Sequence, residues 1–160
     1  GEVGLDFTDK TYQADQVSFF SELVQRCRKD ENKIISIHSR KAEREVLDVL
    51  DDAFSFKAIL HWFSGDSNLL DRAVKMGCYF SVNGKMLKSR KIERMLEIVP
   101  KNRILLETDS PFGDTIKSHV ESLKMLIDGF SPKYVMLAEE IEGILWNNFQ
   151  NLLCGYENLK

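Results

Sequence analysis

The sequence predicts a single α/β domain built on a parallel sheet, and three observations predict it. Short apolar, β-branched segments recur along the chain. Amphipathic stretches with helical spacing fill the intervals, and the strand candidates end on polar residues. At 160 residues the chain is long enough for one sizeable core and short for two. Its 43% apolar and 29% charged side chains exclude disorder, and only nine Gly and three Pro exclude a collagenous or low-complexity chain. No apolar run nears the roughly 20 residues that a membrane helix needs. A net charge of −3 excludes a uniformly basic nucleic-acid surface while leaving room for a local basic patch.

Taken in order, residues 33–38 (KIISIH), bounded by Asp30-Glu31-Asn32, read as a buried strand, as do 57–61 (KAILH), 77–82 (GCYFSV) and 103–107 (RILLE). Each is a continuous apolar run, the pattern of a parallel strand covered on both faces. Between them, residues 16–28 place Val17, Phe20, Leu23, Val24 and Cys27 on one helical face, and 42–50 repeat the pattern with Val46, Leu47 and Leu50. Residues 68–76 and 87–98 do the same. Strand–helix–strand alternation at this spacing implies right-handed βαβ units. After Asp109 the alternation stops, and 118–130, 132–142 and 144–153 read as closing helices, with Ser131-Pro132 as a helix start.

Three widely spaced cysteines, Cys27, Cys78 and Cys154, form neither a disulfide framework nor a metal knuckle. They point to a reducing, cytoplasmic setting and to burial for each. The chain opens Gly1-Glu2-Val3, with no initiator Met, no signal and no transit peptide, and is expected to be part of a larger protein.

In parallel α/β folds the chemistry sits at the C-terminal ends of the strands. Those positions hold Glu2, His38, His61 and Asp109, with Glu107 just ahead of Asp109. The third histidine, His119, lies in a polar helix start and reads as an exposed surface residue. A single histidine closing a strand is ordinarily a core residue bonded to a carbonyl. Two of them, followed by Ser39-Arg40 and by Trp62-Phe63-Ser64-Gly65, are harder to place that way. Carboxylate and imidazole ligands on rigid strand ends suit Zn²⁺, Mn²⁺ or Mg²⁺.

These residues carry a resemblance. GEVGLDF at the start, IHSR at 37–40, HWFSG at 61–65, SVNG at 81–84 and LLETDSP at 105–111 resemble, in order and spacing, the blocks of the TatD family of metal-dependent deoxyribonucleases. Gln16 with Phe19 or Phe20, and Asn148-Phe149 with Leu152, are similar to weaker family positions. The resemblance implies the C-terminal portion, about five strands, of an amidohydrolase-type (β/α)8 barrel, with closing helices and two divalent ions at its rim. It implies Glu2 as the carboxylate bridging both ions, His38 and His61 on the second, and Asp109 on the first, where it positions or deprotonates the attacking water. The implied activity is hydrolysis of phosphodiester bonds, as a 3′→5′ DNA exonuclease.

The family's opening His-x-His strand and two further strand–helix units have no counterpart in these residues, so residues 1–160 read as one N-terminally incomplete TatD-like domain. One metal site is largely retained, and the open barrel is expected to be covered by the missing N-terminal segment or by a partner protein. Substrate contacts are expected from Arg40, from Trp62 with Phe63 and Phe112 as base-stacking candidates, and from Lys85 and Lys88, which lead a basic run through Arg90, Lys91 and Arg94. Phe112-Gly113-Asp114 replaces a fuller family loop. Two rival readings are a TatD-like subunit that has lost catalysis within a multi-protein assembly, for example in phage defence, and a hydrolase of a small ester or amide.

Overall fold

A computed structural model describes residues 2–51, 54–112 and 118–153. Five strands run parallel in the order in which they occur: β1 (Val3–Asp6), β2 (Ile34–Arg40), β3 (Lys57–His61), β4 (Tyr79–Val82) and β5 (Ile104–Leu106). The helices α1 (Gln13–Cys27), α2 (Glu43–Leu50), α3 (Ser67–Lys75), α4 (Gly84–Leu87) and α5 (Lys91–Ile98) fill the crossovers, and α6 (His119–Tyr134) and α7 (Ala138–Leu153) follow. A sheet whose neighbours are all consecutive and parallel carries its right-handed crossovers on one face. That is barrel winding, not the doubly wound arrangement.

The two faces of the sheet are covered differently, which departs from the even coverage expected of continuous apolar runs. On the helix side, Leu5, Ile37, Leu60, Phe80 and Ile104 are fully or almost fully buried in one core with Phe20, Val24, Val46, Leu47 and Leu50. On the other face, Ile34, Ser36 and His38 of β2 and Lys57, Ile59 and His61 of β3 are only half-buried. There a small cluster of Tyr79, Leu105 and Leu152 joins Ile34 and Ile59. Leu152 brings α7 across this face, and Lys57 Nζ donates to its carbonyl at 2.6 Å, a cation on the helix's last turn. Asn148, buried in the same helix, donates through Nδ2 to the carbonyls of Lys101 and Ile104, each at 2.7 Å.

Several expected boundaries are corrected. β2 runs on to Arg40 because residues 3–6 pair with residues 37–40, so His38 lies inside the strand and not at its end. Glu2 stands ahead of β1, and Asp6 closes that strand. β4 begins at Tyr79 because Gly77, at φ +80°, turns the chain out of α3. Of the stretch 87–98, Leu87 closes a short helix α4 that the Asn83 side chain starts by capping Met86 N at 3.0 Å, and α5 begins only at Lys91. Three closing helices become two. Pro132 lies in the last turn of α6, which ends where Val135 turns left-handed, and α7 continues through residue 143.

Candidate metal centre

Parallel pairing sets Gly4 beside His38, and His38 beside His61, on the open face. Because side chains alternate along a strand, Glu2, Gly4 and Asp6 point to that same face. Gly4 is required there: at φ +151°, a Cβ would stand 2.0 Å from the His38 carbonyl oxygen. The close approach of β1 to β2 brings the Glu2 carboxylate over both imidazoles. Glu2 Oε1 lies 3.2 Å from His38 Nδ1 and 3.5 Å from His61 Nε2.

Asp109 arrives from the loop after β5, with Oδ1 3.6 Å from His61 Nε2. The backbone is left-handed at Asp109 (φ +47°) and at Trp62 (φ +43°), the residue after His61. Such backbone at non-glycine residues costs on the order of 1–3 kcal/mol each and is concentrated at functional sites. His61 and Asp109 are the more enclosed, at 13% and 20% exposure, and Glu2 and His38 the more open, at 36% and 35%. The cluster is therefore more open to solvent on the Glu2–His38 side.

Behind the cluster, Glu107 Oε2 accepts from His61 Nδ1 at 2.5 Å and from the Ser81 hydroxyl, while Oε1 accepts from Asn83 Nδ2 at 3.0 Å. Burial pulls the His61 pKa down, but the hydrogen bond to Glu107 and the charges of Glu107, Glu2 and Asp109 outweigh it, and the net shift is upward. Asp6 Oδ2 lies 3.8 Å from His38 Nε2. Burial works against the Asp6 charge, yet hydrogen bonds from the Thr8 hydroxyl and amide, with His38 and Arg40 nearby, hold its pKa below the ordinary value.

The donor set fits a divalent ion. Glu2, His38 and His61 each offer one ligand atom, all within 4.8 Å of one another. Donors about 2.1 Å from a tetrahedral ion stand about 3.4 Å apart, and the carboxylate–imidazole separations of 3.2, 3.5 and 3.6 Å match that spacing.

A cavity of about 600 Å³ opens over these residues, lined also by Arg40, Trp62, Ser64 and Phe112. Among the described residues, no carboxylate pairs directly with the Arg40 guanidinium. Lys85 Nζ lies 5.9 Å from the centre of the Trp62 ring and donates to the Phe112 carbonyl, so it stands at the cavity wall. Lys88 borders a separate cavity of about 160 Å³ with Thr108 and Ser122. Phe63 is core, edge-on to Phe80. Arg94 is held by Glu97 and Ser67 as part of a solvated helix face, and His119 is exposed. Gly113, Asp114 and Cys154 lie outside the described residues.

Sequence reasoning does not assign Asp6, Ser81, Asn83 or the contacts of Glu107. The signal was available in part: Ser81 and Asn83 are polar residues two apart in an otherwise apolar strand, which places both on one face.

The comparisons agree with this architecture. The family model of TatD related DNase matches residues 1–154. The chain is 27% identical over 153 residues to an uncharacterized metal-dependent hydrolase of Methanocaldococcus jannaschii, covering 92% of this chain and 59% of that protein. It is 29% identical over 116 residues to deoxyribonuclease TATDN3 of Homo sapiens, covering 69% and 42%. The crystal structure of the TatD homolog YJJV of Escherichia coli K12 superposes with a TM-score of 0.80 at 24% identity, covering 95% of this chain and 62% of that one. The chain thus spans about half the length of the curated relatives it matches.

Proposed function

This chain belongs to the TatD related DNase family, and from that premise we propose that it carries most of the metal centre of a hydrolase that cleaves phosphodiester bonds in nucleic acid, acting on DNA as a 3′→5′ exonuclease. The observation that carries the reading is the convergence of Glu2, His38 and His61 within 4.8 Å, with Asp109 facing His61 Nε2. Two divalent ions, Mg²⁺, Mn²⁺ or Zn²⁺, are the cofactors in this reading. Glu2, His38 and His61 would hold one ion, and Asp109, together with Glu2, would help to hold the other. Such ions supply Lewis acidity toward a phosphodiester oxygen and a lowered pKa for an attacking water.

The chain's own residues do the rest. Asp109 positions the water and accepts its proton. Arg40, with no carboxylate directly paired to it among the described residues, neutralises phosphate charge at the cavity mouth. Trp62 and the exposed Phe112 stand on the cavity wall where a base can stack, and Lys85 adds a cation beside them. Lys88, bordering its own cavity, serves a more distant part of the strand.

The open sheet face supports a further part of this reading. Leu123, Trp146 and Phe149 are exposed beside Ile59, Leu105 and Leu106 around a cavity of about 560 Å³. A surface of this kind is normally covered. The remaining barrel units, supplied from outside these 160 residues, are the proposed cover and the source of the other ligands to the first ion. No helix among the described residues is long and apolar enough to cross a membrane.

Asp109→Asn is the test. It is expected to abolish divalent-dependent release of nucleotides from 3′-labelled DNA while circular dichroism stays unchanged. Full activity in the variant would remove Asp109 from the mechanism. Activity on a small ester with none on DNA would favour the small-substrate reading, and binding without turnover would favour an assembly subunit.

A further inference from the structure

Glu107 does not line the cavity over the cluster, yet three side chains converge on its carboxylate from β3 and from the end of β4. His61 Nδ1 lies 2.5 Å from Oε2, the Ser81 hydroxyl donates to the same oxygen, and Asn83 Nδ2 donates to Oε1 at 3.0 Å. Asn83 is itself fixed, because its Oδ1 accepts from Met86 N at 3.0 Å as the cap of α4. The Glu107 side chain is only 12% exposed. It is thus held at both oxygens by groups that cannot easily move.

A neutral imidazole carries one N–H and one lone pair. With Nδ1–H directed at Glu107, the lone pair belongs to Nε2, the nitrogen that faces Glu2 and Asp109 at 3.5 and 3.6 Å. The opposite tautomer would set a lone pair against the carboxylate and a proton where an ion has to sit. We propose that Glu107 is the positioning residue of this centre: together with Ser81 and Asn83 it fixes the ring plane and tautomer of His61, and through them the affinity for the ion. The proposal rests on the metal-centre reading above. Losing an outer partner of a ligating histidine typically costs about 10–100-fold in metal affinity.

The experiment is titration calorimetry of the whole chain with MnCl₂, paired with ¹⁵N-histidine NMR of the metal-free chain at alkaline pH, for wild type and Glu107→Gln. The variant is expected to bind Mn²⁺ about 10–100-fold more weakly, and its His61 nitrogens to shift from a single Nδ1–H tautomer toward a mixture. Unchanged affinity together with an unchanged tautomer would overturn the proposal, even if the variant melts earlier, since a merely structural role moves stability alone. Should Glu107→Gln fail to fold, Ser81→Ala leaves His61 and Glu107 in place and is expected to shift both readouts in the same direction by less. No shift there overturns the proposal equally. Failure of the wild-type chain to bind Mn²⁺ would instead sink the metal-centre reading, while the tautomer of the metal-free chain still decides the role of Glu107.

Discussion

Gly4 sits where β1 comes nearest to β2, and the space for a side chain is taken by the His38 backbone. Gly4→Ala must therefore part the two strands or distort β2, and both move Glu2 away from the imidazoles. A loss of about 3 kcal/mol in a urea denaturation experiment is expected, together with loss of metal binding. Cys78 makes a different prediction. Burial pushes its thiol pKa up to about 12 from 9.0. A folded-state pKa above the unfolded value stabilises the fold below pH 9.0, and the contribution fades as the pH rises toward about 12. Native Cys78 should resist thiol reagents that label the unfolded chain at once, and the stability advantage of wild type over Cys78→Ala should shrink above pH 9.0. At this scale His38, His61 and Asp109 are legible in the sequence, because the first two fall at the ends of short apolar runs and the third follows one. Asp6 is not, and neither are the contacts of Glu107, which the strand-end pattern places just ahead of Asp109. Their importance lies in pairings across strands, and spacing along one chain does not show which carboxylate will face which ring.

The elements that pack against the sheet were legible in outline. β3 and the helices α1, α2 and α3 fall where alternation and helical spacing predict them, since their apolar positions face a single core. Elements that depend on a side-chain cap or on distant pairing were not. Asn83 starts α4 ahead of the expected helix, β1 lengthens β2, and Pro132 falls within the last turn of α6 where local sequence favours a start. The closing helix α7 is held by such a distant contact. Asn148 donates to the carbonyl of Lys101, in the turn ahead of β5, and to that of Ile104, its first residue, and the sequence around it gives no sign of them. Asn148→Ala leaves both acceptors without their donor and should lower stability by about 2–3 kcal/mol, measured by chemical denaturation. It should also loosen α7 from the open face, giving faster amide exchange in residues 145–153 than in α1.

Across the whole molecule, one face of the sheet is sealed by helices and the other is shared between the candidate metal centre and an apolar surface. Barrel winding explains both, because strands wound in sequence order leave an inner face that only further strands or a partner can close. The family and the fold follow from residues spread along nearly the whole chain, which is why the resemblance could be read from five short blocks. An ion bound at the centre links three strands, so it should stabilise the whole sheet. At a free concentration of about 100 times its Kd, a divalent ion adds about 2.7 kcal/mol. For a domain of this size that raises Tm by about 5–10 °C, and a chelator should reverse it.

The most direct measurement is titration calorimetry of the 160-residue chain with Mn²⁺, with Zn²⁺ in parallel, set against Glu2→Gln and His61→Asn. Saturable binding by the wild-type chain is expected, with a loss of about 100-fold or more in each variant, since Glu2→Gln leaves only a neutral amide oxygen and His61→Asn removes the imidazole. Binding of equal strength in all three chains would place the ion elsewhere and contradict a centre built on Glu2, His38 and His61.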